Sequence, residues 1–198
     1  MRFTVSSTAL SSKLNALAKV INSKNSLPIL ADFLFDIQDN VLYLTASDSE
    51  NVINTQMELT ESDANGRFAI NNHDLLEAIK GFSEQPITFD VNLQDNIAKI
   101  SYQNGLFSLP VENADEYPQS QPITEGINTI VMPSNVLADN INRSLFATAQ
   151  DELRPVMNGI YFDLTPEHLA VVASDGHKLV RNKVFTVQSE QPASFILP

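Results

Sequence analysis

At 198 residues the chain has room for one large domain or two smaller ones, and its 43% hydrophobic residues can build a core. The absence of cysteine excludes a disulfide framework, a thiolate zinc site and a thiol nucleophile, and fits a reduced, cytoplasmic setting. A net charge of −12 argues against a surface coated by nucleic acid, but it leaves room for a DNA-facing lining on an otherwise acidic molecule. The N-terminal residues lack the apolar run and small-residue cleavage site of a secretory signal, and no stretch approaches a membrane span.

Arg2–Val5 reads as a strand, with Ser6, Ser7 and Thr8 as N-cap candidates for a helix. Leu10, Leu14, Leu17, Ala18 and Ile21 form its apolar stripe, while Lys13 and Lys19 lie on the polar face. Asn22–Ser26 is a loop, and Leu27-Pro28 sets an extended exit. Phe33–Ile37 and Val41–Thr45 make a hairpin around Asp39-Asn40, followed by a strand at Val52–Leu59 and a turn at Ser62–Gly66. Arg67–Ile70 leads to Asn71/Asn72, which cap a second helix carrying Leu75, Leu76 and Ile79 and closed by Gly81. Ile87–Val91, Ile97–Tyr102 and Leu106–Leu109 are short strands, the last two joined at Asn104-Gly105. Glu112–Gly126 is acidic, contains Pro118 and Pro122, and reads as a linker. The pattern then restarts with a strand at Thr129–Met132, a Pro133-Ser134 helix opening, and a helix bearing Val136, Leu137, Ile141 and Leu145.

The restart is a repeat. Sliding the sequence by the distance from Asp48 to Asp175 lays Phe33–Asp48 on Ile160–Asp175, with Phe35/Phe162, Asp36/Asp163, Leu42/Leu169 and both Ala-Ser-Asp triplets coinciding. The same shift lays Arg2–Val5 on Thr129–Met132, Ser7 on Ser134, Leu14 on Ile141 and Pro28 on Pro155. The expected organisation is a first domain over 1–111, a linker over 112–125 and the first part of a second domain over 126–198. Asn71, which opens the second helix of the first domain, falls on Pro198, so the chain is expected to be part of a longer protein.

MRFTV at the start, LPIL at Leu27–Leu30, Glu-Tyr-Pro in the linker, Met157-Asn158-Gly159 and SDGHKL at Ser174–Leu179 together resemble the bacterial sliding clamp family, the beta subunit of DNA polymerase III. The resemblance implies an α+β DNA-clamp fold of three repeated domains, the third outside this chain, with helices on the DNA side and antiparallel sheets outside. It implies a non-catalytic processivity factor, without metal or cofactor, that closes as a homodimer ring around double-stranded DNA. Polymerase, clamp loader and repair proteins would dock through short peptides in a groove using the residues at Met157, Ser174, Gly176, His177, Lys178 and Leu179. DNA contacts would fall at Lys24, Lys80, Arg143, Gln150 and Arg154, through the phosphate backbone and without base readout. Pro155, Val156 and the acidic Asp151-Glu152 depart from better-known members beside both sites.

An enzyme reading competes for the same stretch. Asp175 and His177 at a hairpin corner suit an acid/base or metal pair in a small hydrolase. A lone D-x-H without further ligands is a weak metal signal, however. The plainer reading makes Asp175 a turn residue that accepts nearby backbone amides, because Asp48 recurs at the repeat offset.

Overall fold

The computed structural model describes residues 1–21, 27–48, 51–118, 127, 129–151 and 153–198. The chain divides into two compact units, Met1–Gln121 and Pro122–Pro198.

In the first unit, β1 (Arg2–Ser6) runs directly into α1 (Ser7–Leu17), and the Ser6 hydroxyl caps the helix by accepting from the Ala9 amide at 3.2 Å. Leu10, Leu14 and Leu17 turn inward at helical spacing. Leu27 is extended, as the following proline requires, and Pro28–Ala31 then makes a single 3-10 turn. The hairpin of β2 (Asp32–Gln38) and β3 (Val41–Ser47) closes at Asp39 and Asn40, both at positive φ as a type I′ turn demands. Next come β4 (Val52–Glu58), the two-residue β5 (Glu61–Ser62) and β6 (Gly66–Asn71). The Asn71 side chain caps α2 (Asn72–Ile79), and Gly81 at φ 79° takes the left-handed position just past its end. The unit finishes with β7 (Pro86–Asn92), β8 (Ile97–Tyr102) and β9 (Gly105–Asn113).

These strands form one antiparallel sheet in the order β4-β3-β2-β6-β9-β8-β7-β1-β5. Its pairing is reciprocal: β1 pairs with β7 and β2 with β6, so each of the two βα segments contributes strands to both halves. The halves join through β9, whose first part pairs with β8 and whose last three residues pair with β6. Between sheet and helices lies a continuous core in which Phe3 stacks on Phe89 at 4.8 Å and Phe35 on Phe68 at 5.0 Å.

β9 is longer than the expected Leu106–Leu109, and the acidic segment read as linker is structured at its start. Glu112 and Asn113 pair with Ala69 and Phe68. Ala114–Glu116 makes a 3-10 turn capped by Asn113, and Tyr117 is buried with Ile29, Leu30, Leu34, Ala69 and Ala114. Ala114 and Tyr117 thus anchor a segment that carries the acidic Glu112, Asp115 and Glu116.

The second unit holds α3 (Ser134–Leu145), β10 (Ile160–Leu164), β11 (Leu169–Ser174), β12 (Leu179–Val184) and β13 (Ala193–Leu197), with the sheet order β12-β11-β10-β13. It reproduces β4-β3-β2-β6 residue for residue. Phe35↔Phe68 becomes Phe162↔Phe195, Leu34↔Thr45 becomes Tyr161↔Val172, and Ser47↔Val52 becomes Ser174↔Leu179. Even the ring stack recurs, at 5.1 Å between Phe162 and Phe195.

Two expectations fail here. Thr129–Met132 is not a paired strand. Ile130 and Met132 pack against the second core, but among the described residues no strand pairs with this segment. On α3 only Val136 and Ile141 of the expected stripe pack inward, while Leu137 and Leu145 are exposed. The buried side of that helix instead includes Asn140, which donates to the Val136 carbonyl, and Ser144, which accepts from Asn182.

Candidate functional site

The Ser174–Leu179 corner connects β11 to β12. Asp175 Oδ1 accepts the amide of Lys178 at 2.7 Å and that of His177 at 2.9 Å, and Oδ2 pairs with the Lys178 ammonium at 3.1 Å. The two amides, Lys178 first, hold the Asp175 carboxyl well below the usual carboxylate range. Ser174 Oγ donates to the Lys178 carbonyl and accepts from the Gly176 amide, which locks the corner from its other side. In the first unit, Asp48 Oδ1 accepts the Asn51 amide at the same 2.7 Å. Asp48 and Asp175 are therefore the same turn residue, as the repeat implied. An acceptor committed to two amides and an ammonium is a poor proton carrier, and His177 is exposed beside it. Among the described residues, no group of three His, Asp or Glu could hold a metal ion. The hydrolase reading finds no support.

A second loop meets this corner. Asp151 accepts from Arg154 Nε at 2.8 Å and from the Leu153 amide at 2.9 Å, bonds that depress its pKa, the Arg154 bond most. Asn158 clasps the loop, accepting from the Asp151 amide and donating to its carbonyl, and the Met157 carbonyl takes the Ala149 amide. The single 3-10 turn Pro155–Met157 corresponds to Pro28–Ala31 of the first unit. Gly176 sits at φ 89°, and a Cβ there would stand 3.2 Å from the Arg154 guanidinium. Arg154 and Gly176 thus bring the Met157 loop against the Ser174–Leu179 corner. Lys178 reaches the Phe146 carbonyl at 3.2 Å, its ammonium 6.0 Å from the ring centre. Leu179 is 71% exposed, and Phe146 and Val156 are also well exposed, so the corner presents apolar side chains to solvent on a hydrogen-bonded frame.

The residues expected at DNA are dispersed. Lys24 lies outside the described residues. In the first unit, Lys80 is exposed at the end of α2 and pairs with Glu77 at 3.0 Å, Lys13 donates to Thr55 on β4, and Lys19 is exposed. In the second unit, Arg143 is exposed in the last turn of α3, Gln150 is exposed just before the Asp151 loop, and Arg154 is held by Asp151 at the corner. Sequence reasoning passed over Asn158, Asp151 and Phe146 as parts of the corner. The acid and base three apart at Asp151 and Arg154 were a usable signal; Phe146 gave none.

A helix packed on antiparallel hairpins, repeated in one register, defines the DNA-clamp fold. The family profile for the N-terminal domain of the DNA polymerase III beta subunit matches residues 1–121, and that for its central domain matches residues 131–198. The chain belongs to the DNA polymerase III beta subunit family. It is 28% identical over its whole length to the beta sliding clamp of Haemophilus influenzae and 27% identical, over 98% of its length, to that of Halalkalibacterium halodurans. It spans about half the length of these relatives, 54% and 53%. Among solved structures, the beta subunit of Thermotoga maritima superposes with a TM-score of 0.86 at 28% identity, covering 99% of this chain and 52% of that one. The Helicobacter pylori clamp bound to a DNA ligase peptide shares the fold with a TM-score of 0.86 at 24% identity, covering 100% of this chain and 56% of that one.

Proposed function

We propose that the chain is the N-terminal part of a sliding clamp that closes with a second copy around double-stranded DNA and tethers the replicative polymerase in the cytoplasm. It does no chemistry itself; the polymerase it serves carries out nucleotidyl transfer. The observation that carries the reading is the register-for-register repeat of the module, in a chain that matches two successive domains of this family. Scattered cations suit a ring that must move along DNA: phosphate contacts without base readout hold the duplex without fixing a position on it. Reversing the charge of Lys24 and Arg154 together in the full-length protein is expected to shorten retention on circular DNA, and more so at low salt; unchanged retention removes both from the DNA side.

The corner at Met157, Ser174, Gly176, His177, Lys178 and Leu179 is the docking site for short peptides of partner proteins. Its exposed Leu179 and half-buried Met157 offer adaptable apolar contact, and the hydrogen-bonded turn keeps it preformed. A DNA ligase peptide is expected to bind the chain and to lose binding in Leu179→Asp. Retained binding in that variant would overturn the assignment.

A further inference from the structure

Side chains along β12 alternate between the two faces of its sheet. Val180 and Val184 pack against the second core, and Asn182 between them donates to Ser144 on α3. Leu179, Arg181 and Lys183 therefore face the other way, and all three are exposed. In a chain with 12 Lys and Arg against 24 Asp and Glu, two cations thus stand in line with the leucine of the corner. The cations of the corner itself are committed, Arg154 to Asp151 and Lys178 to Asp175. Among the described residues, neither Arg181 nor Lys183 makes an ion pair. The rows that cross the sheet from them are Arg181–Val172–Tyr161–Ile196 and Lys183–Ala170–Asp163–Ser194. Asp163 is the one carboxylate in these rows, and it stands two strands from Lys183, about 10 Å away, with Ala170 between.

Charge on the last strand of a sheet has an ordinary purpose, since it discourages pairing with a second chain. The repeat is a control for that purpose. β4 ends its sheet as β12 does, and the positions of Leu179, Arg181 and Lys183 are held there by Val52, Asn54 and Gln56 in the same register. β4 carries no cation at all. The module therefore does not require Arg181 and Lys183, and their charge is left for a ligand.

Alternate side chains of a strand repeat every ~6.8 Å, and so do those of an extended peptide lying along it. An apolar residue followed at every second position by an acid matches Leu179, Arg181 and Lys183 in order. On a molecule of net charge −12, an acidic segment is repelled elsewhere and drawn to this stripe. A nucleic acid strand meets the same two charges but has no use for the leucine. We propose that the corner and β12 together select partner peptides in which an apolar anchor is followed by carboxylates, the anchor at Leu179 and the carboxylates at Arg181 and Lys183. The anchor rests on the peptide reading of the corner, and the charge selection is separable from it.

The test follows amide chemical shifts of the 198-residue chain titrated with acetyl-Ser-Leu-Ser-Asp-Ser-Asp-amide and with its neutral isostere acetyl-Ser-Leu-Ser-Asn-Ser-Asn-amide. Saturable shifts are expected at residues 179–183, with the acidic peptide bound about fivefold more tightly at ~50 mM salt and the advantage gone at ~1 M. Arg181→Asn combined with Lys183→Gln places the first unit's own side chains at exposed positions, and should bring the two peptides to equal affinity. No saturable shifts, equal binding of the two peptides to the unmodified chain, an advantage that survives the double variant, or oligothymidylate shifting the same residues as tightly overturns the proposal. The DNA ligase peptide keeps the two readings apart. If it is lost in Leu179→Asp while the acidic and neutral peptides bind alike, only the charge selection falls. If the acidic peptide keeps its advantage but neither it nor the ligase peptide responds to Leu179→Asp, the docking corner falls and the anchor with it.

Discussion

Phe68 and Phe195 hold the same register position in the two units and stack on the same partner ring, yet one is sealed and the other is 49% exposed. In the first unit Phe68 is also flanked by Phe3 from β1, and its strand is covered along its other edge by β9. In the second unit the counterpart of Phe3 is Ile130, which is not in a paired strand, and β13 ends the sheet. Leu10 and Leu137 differ in the same way: the first is buried, and the second is 37% exposed on the rim of an apolar groove with Phe162 and Phe195. Local sequence and register are enough to build the hairpins; sealing them takes strands from further along the chain.

Truncating the two rings gives the largest expected contrast. Phe68→Ala should cost the first unit about 3–5 kcal/mol, whereas Phe195→Ala should cost the second about 1–2, since half of the ring is already in water. Urea unfolding with hydrogen exchange read separately for each unit measures both, and equal losses would break the comparison. Gly159→Ala sharpens it from the other side. A Cβ at Gly159 would stand 2.5 Å from the Leu197 carbonyl oxygen, so about 2–3 kcal/mol of strain is expected. The first unit holds Asp32 at that position, with its side chain accommodated by Asn71.

Asp32 itself gives the third difference. Burial, then the nearby Glu112 carboxylate, pushes its pKa up from 3.8 to about 6. Between those values the folded unit keeps a proton that the unfolded chain has released. Stability therefore falls as pH rises from about 4 to 6, by on the order of 2 kcal/mol, and stays lowered above that. Asp32→Asn should flatten this part of the first unit's pH–stability curve and raise its stability at pH 8; an unchanged curve would remove Asp32 as the cause. The smallest effect is local. Asp175→Ala should speed exchange of the His177 and Lys178 amides and leave the β10 amides unchanged, and Asp48→Ala should do the same at Asn51.

The module was legible in the sequence because one offset carries helix cap, proline, hairpin and turn aspartate together. The turn role of Asp175 was legible for the same reason: Asp48 repeats it without the histidine. The length of β9 was not, since Glu112, Asp115 and Glu116 read as linker and burial of Tyr117 depends on Leu30, Leu34 and Ala69, which lie far away in sequence. Thr129–Met132 has a strand's composition, but a strand also needs a partner. At the corner, the turn residues were readable, whereas the support from Asn158 and Phe146 exists only once the two loops meet.

The reciprocal strand pairing also sets an order of events at the ribosome. β1 and α1 emerge first, but the main partner of β1 is Pro86–Asn92, and the strand that joins the two half-sheets is the last one made. Until Gly105–Asn113 leaves the exit tunnel, the nascent first unit has an unsealed aromatic face much like that of Phe195. This is the interval in which a chaperone would have most to cover.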